Sequence, residues 1–128
     1  MDELNTILAA QVTFLLKRGD PVSIPLSFTD PNNGDAYYDL SVFTELTMQV
    51  KTRRNAPTSV ATLTLTGGDF TVTGVDDEIL TIILDDAAVS IKAAEYFYDV
   101  EGVSTANPDG LTILEGLYII EEDVTRTP

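Results

Sequence analysis

Short segments in which apolar and polar residues alternate make up most of the chain. In residues 22–29 the apolar side chains occupy every second position, and Pro25 falls on the polar side. An alternation with a period of two predicts a strand with one buried face, and the proline indicates an edge strand or a bulge. Seven further β-rich segments lie at 12–16, 46–50, 60–66, 70–73, 79–84, 95–103 and 111–122.

Turn-forming residues separate these segments, as in 30–35 and 107–110, which are rich in proline, asparagine, aspartate and glycine. Gly116 indicates a bulge in the last segment. Residues 85–94 differ, because Asp85 can cap a helix and the alanines after it favour one. The pattern predicts an all-β fold: an antiparallel Greek-key sandwich of seven or eight strands, with one short helical turn near residues 85–94.

The length of 128 residues suits one hydrophobic core, and no linker or repeat divides the chain. We therefore expect a single β-sandwich domain over residues 10–126, preceded by an N-terminal arm, residues 1–9. The arm carries apolar side chains without an obvious place in the core, and the C-terminal segment 121–127 is the second candidate contact region. The residues that we predict to contact partner proteins are Leu4, Ile7, Leu8, Glu121, Glu122, Val124 and Arg126.

The net charge of −14, from 21 acidic and 7 basic residues, repels phosphate groups, so we expect neither nucleic acid nor a membrane as a partner. The chain has no cysteine, so the fold relies on its core and hydrogen bonds and suits a cytosolic folding history. The N-terminus does not resemble a signal peptide, and no apolar run reaches the roughly 20 residues of a membrane helix. We expect a chain that is neither secreted by that route nor anchored.

Histidine and cysteine, whose protonation or nucleophilicity is readily tuned near neutral pH, are both missing, which excludes most hydrolase mechanisms. Pairs of carboxylates could still act as acid and base. The acidic groups at 76–78 and 85–86, however, lie in turns, where solvated carboxylates are the usual interpretation. We predict that the protein is not an enzyme and that it has no catalytic residues, no cofactor and no metal ion.

Two short motifs suggest ligands. Residues 30–35, with Asp30, Asn32 and Asp35, resemble part of a calcium loop, but they lack later ligands and the flanking helices of an EF-hand. A turn closed by the asparagine or aspartate side chains is favoured. Arg18-Gly19-Asp20 matches an integrin-binding tripeptide, but it falls where a strand reverses, and we interpret it as a turn.

The aromatic run at 96–98 has two interpretations. Tyr96, Phe97 and Tyr98 could form a platform on which sugars stack. Tyr96 and Tyr98, however, share a strand face with Val100, which favours positions in the core. Sandwiches often use such a tyrosine to bond back to the preceding corner, and we predict this structural role for Tyr96 or Tyr98. The alternative function is a carbohydrate-binding or adhesion module, with or without calcium.

The order of these features is similar to a family of small virion modules. The sequence resembles the immunoglobulin-like β-sandwich domains of tailed bacteriophages, particularly the N-terminal module of baseplate upper proteins and related head-fibre and tail modules. The similarity covers about residues 12 to 126. The residues that carry it are Arg18-Gly19-Asp20, Ile24-Pro25-Leu26-Ser27-Phe28, Asp39-Leu40-Ser41, Thr47-Met48-Gln49-Val50-Lys51, Tyr96-Phe97-Tyr98-Asp99-Val100, Leu114-Glu115-Gly116 and Val124-Thr125-Arg126.

The resemblance implies an immunoglobulin-like sandwich and a non-enzymatic structural protein of a tailed-phage virion. Such a protein would decorate or join capsid, neck, tail or baseplate components by protein–protein packing. Its partners would be other virion proteins, in homo- or hetero-oligomers, and its location the virion after synthesis in the host bacterial cytoplasm. In this family the domain commonly begins a longer fibre or baseplate chain; because the sequence ends at Pro128, we expect a small stand-alone subunit instead.

Overall fold

The computed structural model describes residues 10–30 and 36–122. These residues form eleven strands, one helix and one 3-10 turn, so the described part of the chain is mostly β. The helix α1 spans Asp86–Val89, and the 3-10 turn spans Leu40–Val42. The strands are β1 (Ala10–Gln11), β2 (Phe14–Lys17), β3 (Val22–Ser27), β4 (Thr29–Asp30), β5 (Ala36–Tyr37), β6 (Glu45–Lys51), β7 (Ala61–Thr64), β8 (Phe70–Thr73), β9 (Ile79–Leu84), β10 (Ala94–Val103) and β11 (Leu111–Glu121).

Nine of the described strands form two sheets. The larger has the order β1-β11-β10-β6-β7, with β2 also paired to β11, and the smaller has the order β3-β9-β8. Strands β4 and β5 form a separate two-stranded ribbon. The pairs β1–β11 and β2–β11 are parallel, so the larger sheet is mixed and the predicted all-antiparallel pairing is wrong at its edge. Alternation within one strand indicates which face is buried, but not the direction of its partner.

Each of the eight predicted segments overlaps a strand. The number of observed strands is larger because several short strands were not predicted. The first strand is interrupted at residues 12–13, which separates β1 from β2. Strands β4 and β5 have two residues each, too few to show alternation. The predicted helical turn is confirmed as α1, although it ends at Val89. Strand β3 lies at an edge of its sheet, as Pro25 indicates.

The two sheets meet across one hydrophobic core. The larger sheet contributes Leu46, Met48 and Val50 from β6, and the smaller contributes Leu80 and Ile82 from β9; all five are fully buried. Within each strand these residues lie two positions apart, so the alternation in the sequence directly creates the buried face. Burial of aliphatic side chains of this size stabilises the fold by about 1.5–3 kcal/mol each.

The bulge in β11 lies at Ile113, not at Gly116. The register between β10 and β11 shifts between Val100 and Glu101, where Val100 pairs with Leu114 and Glu101 with Thr112. Ile113 and Leu114 are both buried, although successive strand residues normally point to opposite faces. The extra residue therefore changes the buried face in the first third of β11.

Gly116 instead allows a close approach between chain segments. It pairs with Tyr98 on β10, and a Cβ atom on Gly116 would overlap the carbonyl oxygen of Val12. That carbonyl accepts a hydrogen bond from the Tyr98 hydroxyl at 2.7 Å, and the Val12 amide donates to the carbonyl of Glu115 at 3.1 Å. The missing side chain thus makes room for the segment that joins β1 to β2.

The cap of α1 gives a first testable expectation. The Asp85 carboxylate accepts a hydrogen bond from the Ala88 amide at 3.0 Å, which satisfies one of the unpaired amides of the first turn. Asp85→Ala should lower the free energy of unfolding by about 1 kcal/mol in urea titrations. Asp86→Ala is the matched control, because the Asp86 carboxylate accepts a hydrogen bond from the exposed Ser90 hydroxyl and caps no amide of the helix among the described residues. Equal losses in the two variants would contradict the assigned cap.

Candidate interaction surfaces

Three tyrosine side chains extend through the core and end on backbone carbonyls. The Tyr96 hydroxyl donates to the carbonyl of Lys92 at 2.6 Å, and the Tyr98 hydroxyl donates to that of Val12 at 2.7 Å. The Tyr118 hydroxyl donates to the carbonyl of Ala88 at 2.5 Å. All three tyrosines are buried. The bonds of Tyr98 and Tyr118 attach the larger sheet to the β1–β2 segment and to the helix. These hydroxyls are internal connections and are not available to a ligand.

Burial also keeps two of these tyrosines neutral. Removal from water raises the pKa of Tyr98 and of Tyr118 well above its ordinary value, because a buried phenolate would lose its hydration. The nearby charge of Glu115 raises the pKa of Tyr98 further, and that of Asp85 acts on Tyr118 in the same direction. Both hydroxyls therefore remain hydrogen-bond donors above the pH at which an exposed tyrosine ionises.

The aromatic run at 96–98 does not form one platform. Tyr96 and Tyr98 point into the core, whereas Phe97 lies on the outer face of the larger sheet. The guanidinium of Arg54 covers the Phe97 ring, with 5.1 Å between its central carbon and the ring centroid. Of these three rings, a sugar could reach only that of Phe97, and only by displacing a favourable cation–π contact.

A polar depression of about 150 Å³ surrounds Phe97 on this outer face. Gln49, Lys51, Asp99 and Glu115 line it together with Arg54, whose guanidinium lies 3.8 Å from the Glu115 carboxylate. Partial burial raises the pKa of Asp99, Glu115 raises it further, and Lys51 lowers it. Two cationic and two anionic side chains largely compensate one another here. This cluster has no direct signal in the sequence, because β6, β10, β11 and the Arg54 loop meet only in the folded chain.

The residues predicted to contact partners fall into two groups. Leu4, Ile7, Leu8, Val124 and Arg126 lie outside the described residues. Glu121 and Glu122 lie at the end of β11, next to the end of β2. Their carboxylates form ion pairs with Lys17 at 2.9 Å and with Arg18 at 3.4 Å. Because these side chains are largely solvated, each pair contributes at most about 1 kcal/mol.

An apolar groove of about 560 Å³ lies between β2 and β3. Each of these strands is at the end of its own sheet, and the groove is the opening between the two layers on that side. Its lining includes Phe14, Leu16 and Ile24 from the core side. Leu15 and Val22 also line it and are 63% and 39% exposed. The edge position of β3 was predicted from Pro25, but the groove was not, because nothing in the sequence of β2 marks it as an edge.

The acidic motifs do not assemble into a metal site in the part of the chain that the structure describes. Asn32, Gly34 and Asp35 of the calcium-like loop lie outside that part. Within residues 10–30 and 36–122, no group of three or more acidic side chains is placed to hold a metal ion. The buried Glu78 carboxylate instead accepts a hydrogen bond from the Asp76 amide at 3.1 Å, which shapes the turn before β9.

Comparison with known proteins gives no family for this chain. No protein-family model matches the sequence, and no curated protein matches it. None of the described helices has the length and apolar character needed to cross a bilayer.

Proposed function

We propose that this protein is a non-enzymatic structural component of a tailed-phage virion, an immunoglobulin-like sandwich that joins or decorates particle components by packing. The partners would be other virion proteins of the capsid, neck, tail or baseplate. The observation that carries the proposal is the strand order of the two sheets, taken together with the residues that gave the phage resemblance.

The strand order supports the assignment of an immunoglobulin-like domain. If β3 is strand B, then β9 and β8 are strands E and D, which gives a three-stranded B-E-D sheet. The other sheet then reads G-F-C-C′ for β11, β10, β6 and β7. The parallel β1 and β2 pair with strand G at its edge. Strands B through G follow one another in the chain as they do in that fold.

The Tyr96 contact supports the same assignment. Tyr96 lies near the start of β10, directly after the corner that contains α1, and its hydroxyl bonds a carbonyl four residues upstream. Immunoglobulin-like domains use a tyrosine in this way at the corner before strand F. Their buried cysteine pair is missing here; the stacked rings of Phe14 and Tyr98, with centroids 4.8 Å apart, occupy part of the core instead.

The residues that carry the phage resemblance occupy structurally important positions. Pro25 lies on the edge strand, and Val50 lies in the buried face of β6. Asp39 caps the 3-10 turn through the Ser41 amide at 2.9 Å. Gly116 permits the approach of Val12. The residues that carry the resemblance therefore determine the fold. The proposed virion role follows if this chain uses the fold as the phage modules do.

The proposal is tested by locating the protein in particles. Virions of the phage that encodes the chain should contain it in a fixed ratio to the major capsid protein, measured by quantitative mass spectrometry after gradient purification. Cryo-electron microscopy should then show density for the domain at one type of position. Recovery only from the host lysate, with none in the particles, would reject a structural role in the virion.

A further inference from the structure

We propose that strand β8 pairs with β8 of a second copy of this chain, so that the smaller sheets of two domains join into one continuous sheet. The inference rests on the proposed function, because it names one partner with which the domain would pack in a particle. Within the described residues, β8 is an end strand of the smaller sheet and pairs only with β9.

The outward backbone groups of β8 belong to Phe70 and Val72. The Ile83 amide donates to the Asp69 carbonyl at 2.8 Å, which makes these two residues a hydrogen-bonded pair of the β8–β9 ladder. Such pairs recur at every second residue of an antiparallel ladder, so Thr71 also faces β9 with its amide and carbonyl. The amides and carbonyls of Phe70 and Val72 therefore point away from the sheet.

Two other end strands carry features that hinder pairing, and β8 has neither of them. Strand β3, at the opposite edge of the same sheet, contains Pro25, which supplies no amide hydrogen. On β7, an end strand of the larger sheet, the Thr64 amide donates to the Asp69 carboxylate at 3.1 Å, and the Thr64 carbonyl accepts from the Asp69 amide at 3.1 Å. Proteins commonly protect an exposed edge with proline or charge, and β8 contains no proline and no charged residue.

The sequence of β8 is suited to a two-fold antiparallel pairing. Phe70 then lies opposite the partner's Val72, Val72 lies opposite the partner's Phe70, and each pair exchanges both backbone hydrogen bonds. Thr71 lies between these pairs and meets the partner's Thr71 across the two-fold axis. Aromatic with β-branched residues, and threonine with threonine, are favourable cross-strand pairs. The strand therefore complements a second copy of itself, as a closed two-fold contact requires.

The distribution of charge also favours a second copy at this sheet. The net charge is −14, so two copies repel one another over most of their surfaces. Strands β3, β8 and β9 contain no charged residue, whereas the larger sheet includes Lys51, Asp99 and Glu115. Pairing through β8 brings the copies together along the uncharged sheet. Added salt should strengthen the dimer, because it screens the remaining repulsion.

The first test uses single cysteines in the full-length chain, which has none of its own. Thr71→Cys places the thiols of two copies opposite one another in a non-hydrogen-bonded pair, with Cα atoms about 4.5 Å apart, a separation that a disulfide can bridge. Thr73→Cys is the matched control. It is exposed on the same face of β8, but in the dimer it would lie about 14 Å from its equivalent, beyond the reach of a disulfide. Under mild oxidation Thr71→Cys should give at least tenfold more linked dimer.

The second test changes the charge at the two-fold axis. Thr71→Asp and Thr71→Lys each place like charges opposite one another, so each variant alone should associate at least tenfold more weakly than the unmodified chain in sedimentation velocity. An equimolar mixture of the two should recover association, because opposite charges then face one another. Thr62→Asp, at an exposed position of β7, adds the same charge elsewhere and should leave association unchanged.

Three outcomes would overturn the inference: an unmodified chain that stays monomeric at every concentration and salt level, equal cross-linking of the two cysteine variants, or a charge mixture that associates no better than its components. These failures are distinct from failure of the virion role. A monomeric protein that is nevertheless found in particles would reject the β8 pairing and leave the virion proposal intact. A dimer that is absent from particles would do the reverse.

Discussion

Replacement of Gly116 by alanine should destabilise the protein by about 3 kcal/mol. The new methyl group would overlap the Val12 carbonyl oxygen, so the β1–β2 segment must move away from β11. This movement also separates Val12 from the Tyr98 hydroxyl, which leaves a buried donor without its partner. Overpacking costs about 1–3 kcal/mol, and a buried unsatisfied group a similar amount. Thermal unfolding followed by circular dichroism should show a midpoint lower by roughly 10 °C.

Gly68 provides the control for this prediction. Its φ angle is 84°, but a Cβ atom there would meet no other atom within 4 Å. Gly68→Ala should therefore cost only the left-handed backbone conformation, about 1 kcal/mol. Tyr98→Phe should also cost less in the Gly116→Ala background than in the unmodified chain, because its partner has already moved. The assigned close approach is wrong if the two glycine variants are equally stable.

The second large effect is a loss of stability in alkaline solution. Burial raises the pKa of Tyr98 and of Tyr118 in the folded state, whereas the unfolded value is about 10. A group whose pKa is higher in the folded state contributes its full stabilisation below the unfolded value. That contribution decreases as the pH rises from 10 toward the folded pKa. Above pH 10, each of these tyrosines should lower the free energy of unfolding by up to about 1.4 kcal/mol per pH unit, so the protein should lose roughly a few kcal/mol of stability between pH 10 and pH 12.

Urea titrations at pH 9 and pH 12, with tyrosinate absorbance recorded in parallel, measure this loss. Tyr118→Phe should weaken the protein slightly at pH 9, since the Ala88 carbonyl loses its donor, but should reduce the alkaline loss by about half. Tyr37→Phe, at an exposed position, is the matched control and should leave the loss unchanged. A stability that does not change between pH 9 and pH 12 would contradict the assigned burial of both hydroxyls.

The strands were predictable because their information is local. In β3, β6 and β9 the alternation of apolar and polar residues determines which face is buried, and the turns between them contain the residues that reversals need. Asp85 was likewise identifiable as a cap, because a capping side chain acts within its own turn.

The features that sequence did not predict depend on contacts between distant segments. The parallel pairing of β1 and β2 with β11 cannot be obtained from the pattern of either strand. Gly116 was interpreted as a bulge, because a glycine inside a strand looks the same in the sequence whether it forms a bulge or makes room for a carbonyl of another segment. The groove depends on which strands end each sheet, and only Pro25 gave a sign of this. The contact of Arg54 with Phe97 requires β6 and β10 to be adjacent.

Pro25 has one further consequence. An exposed edge strand can pair with a strand of another chain, and each added chain then provides a new unpaired edge, so the sheet can grow without limit. A proline in the middle of a six-residue edge strand obstructs such templating, because it supplies no amide hydrogen and its ring hinders a close approach. Crowded copies of this domain are thereby protected on the β3 side from fusing into amyloid-like fibrils.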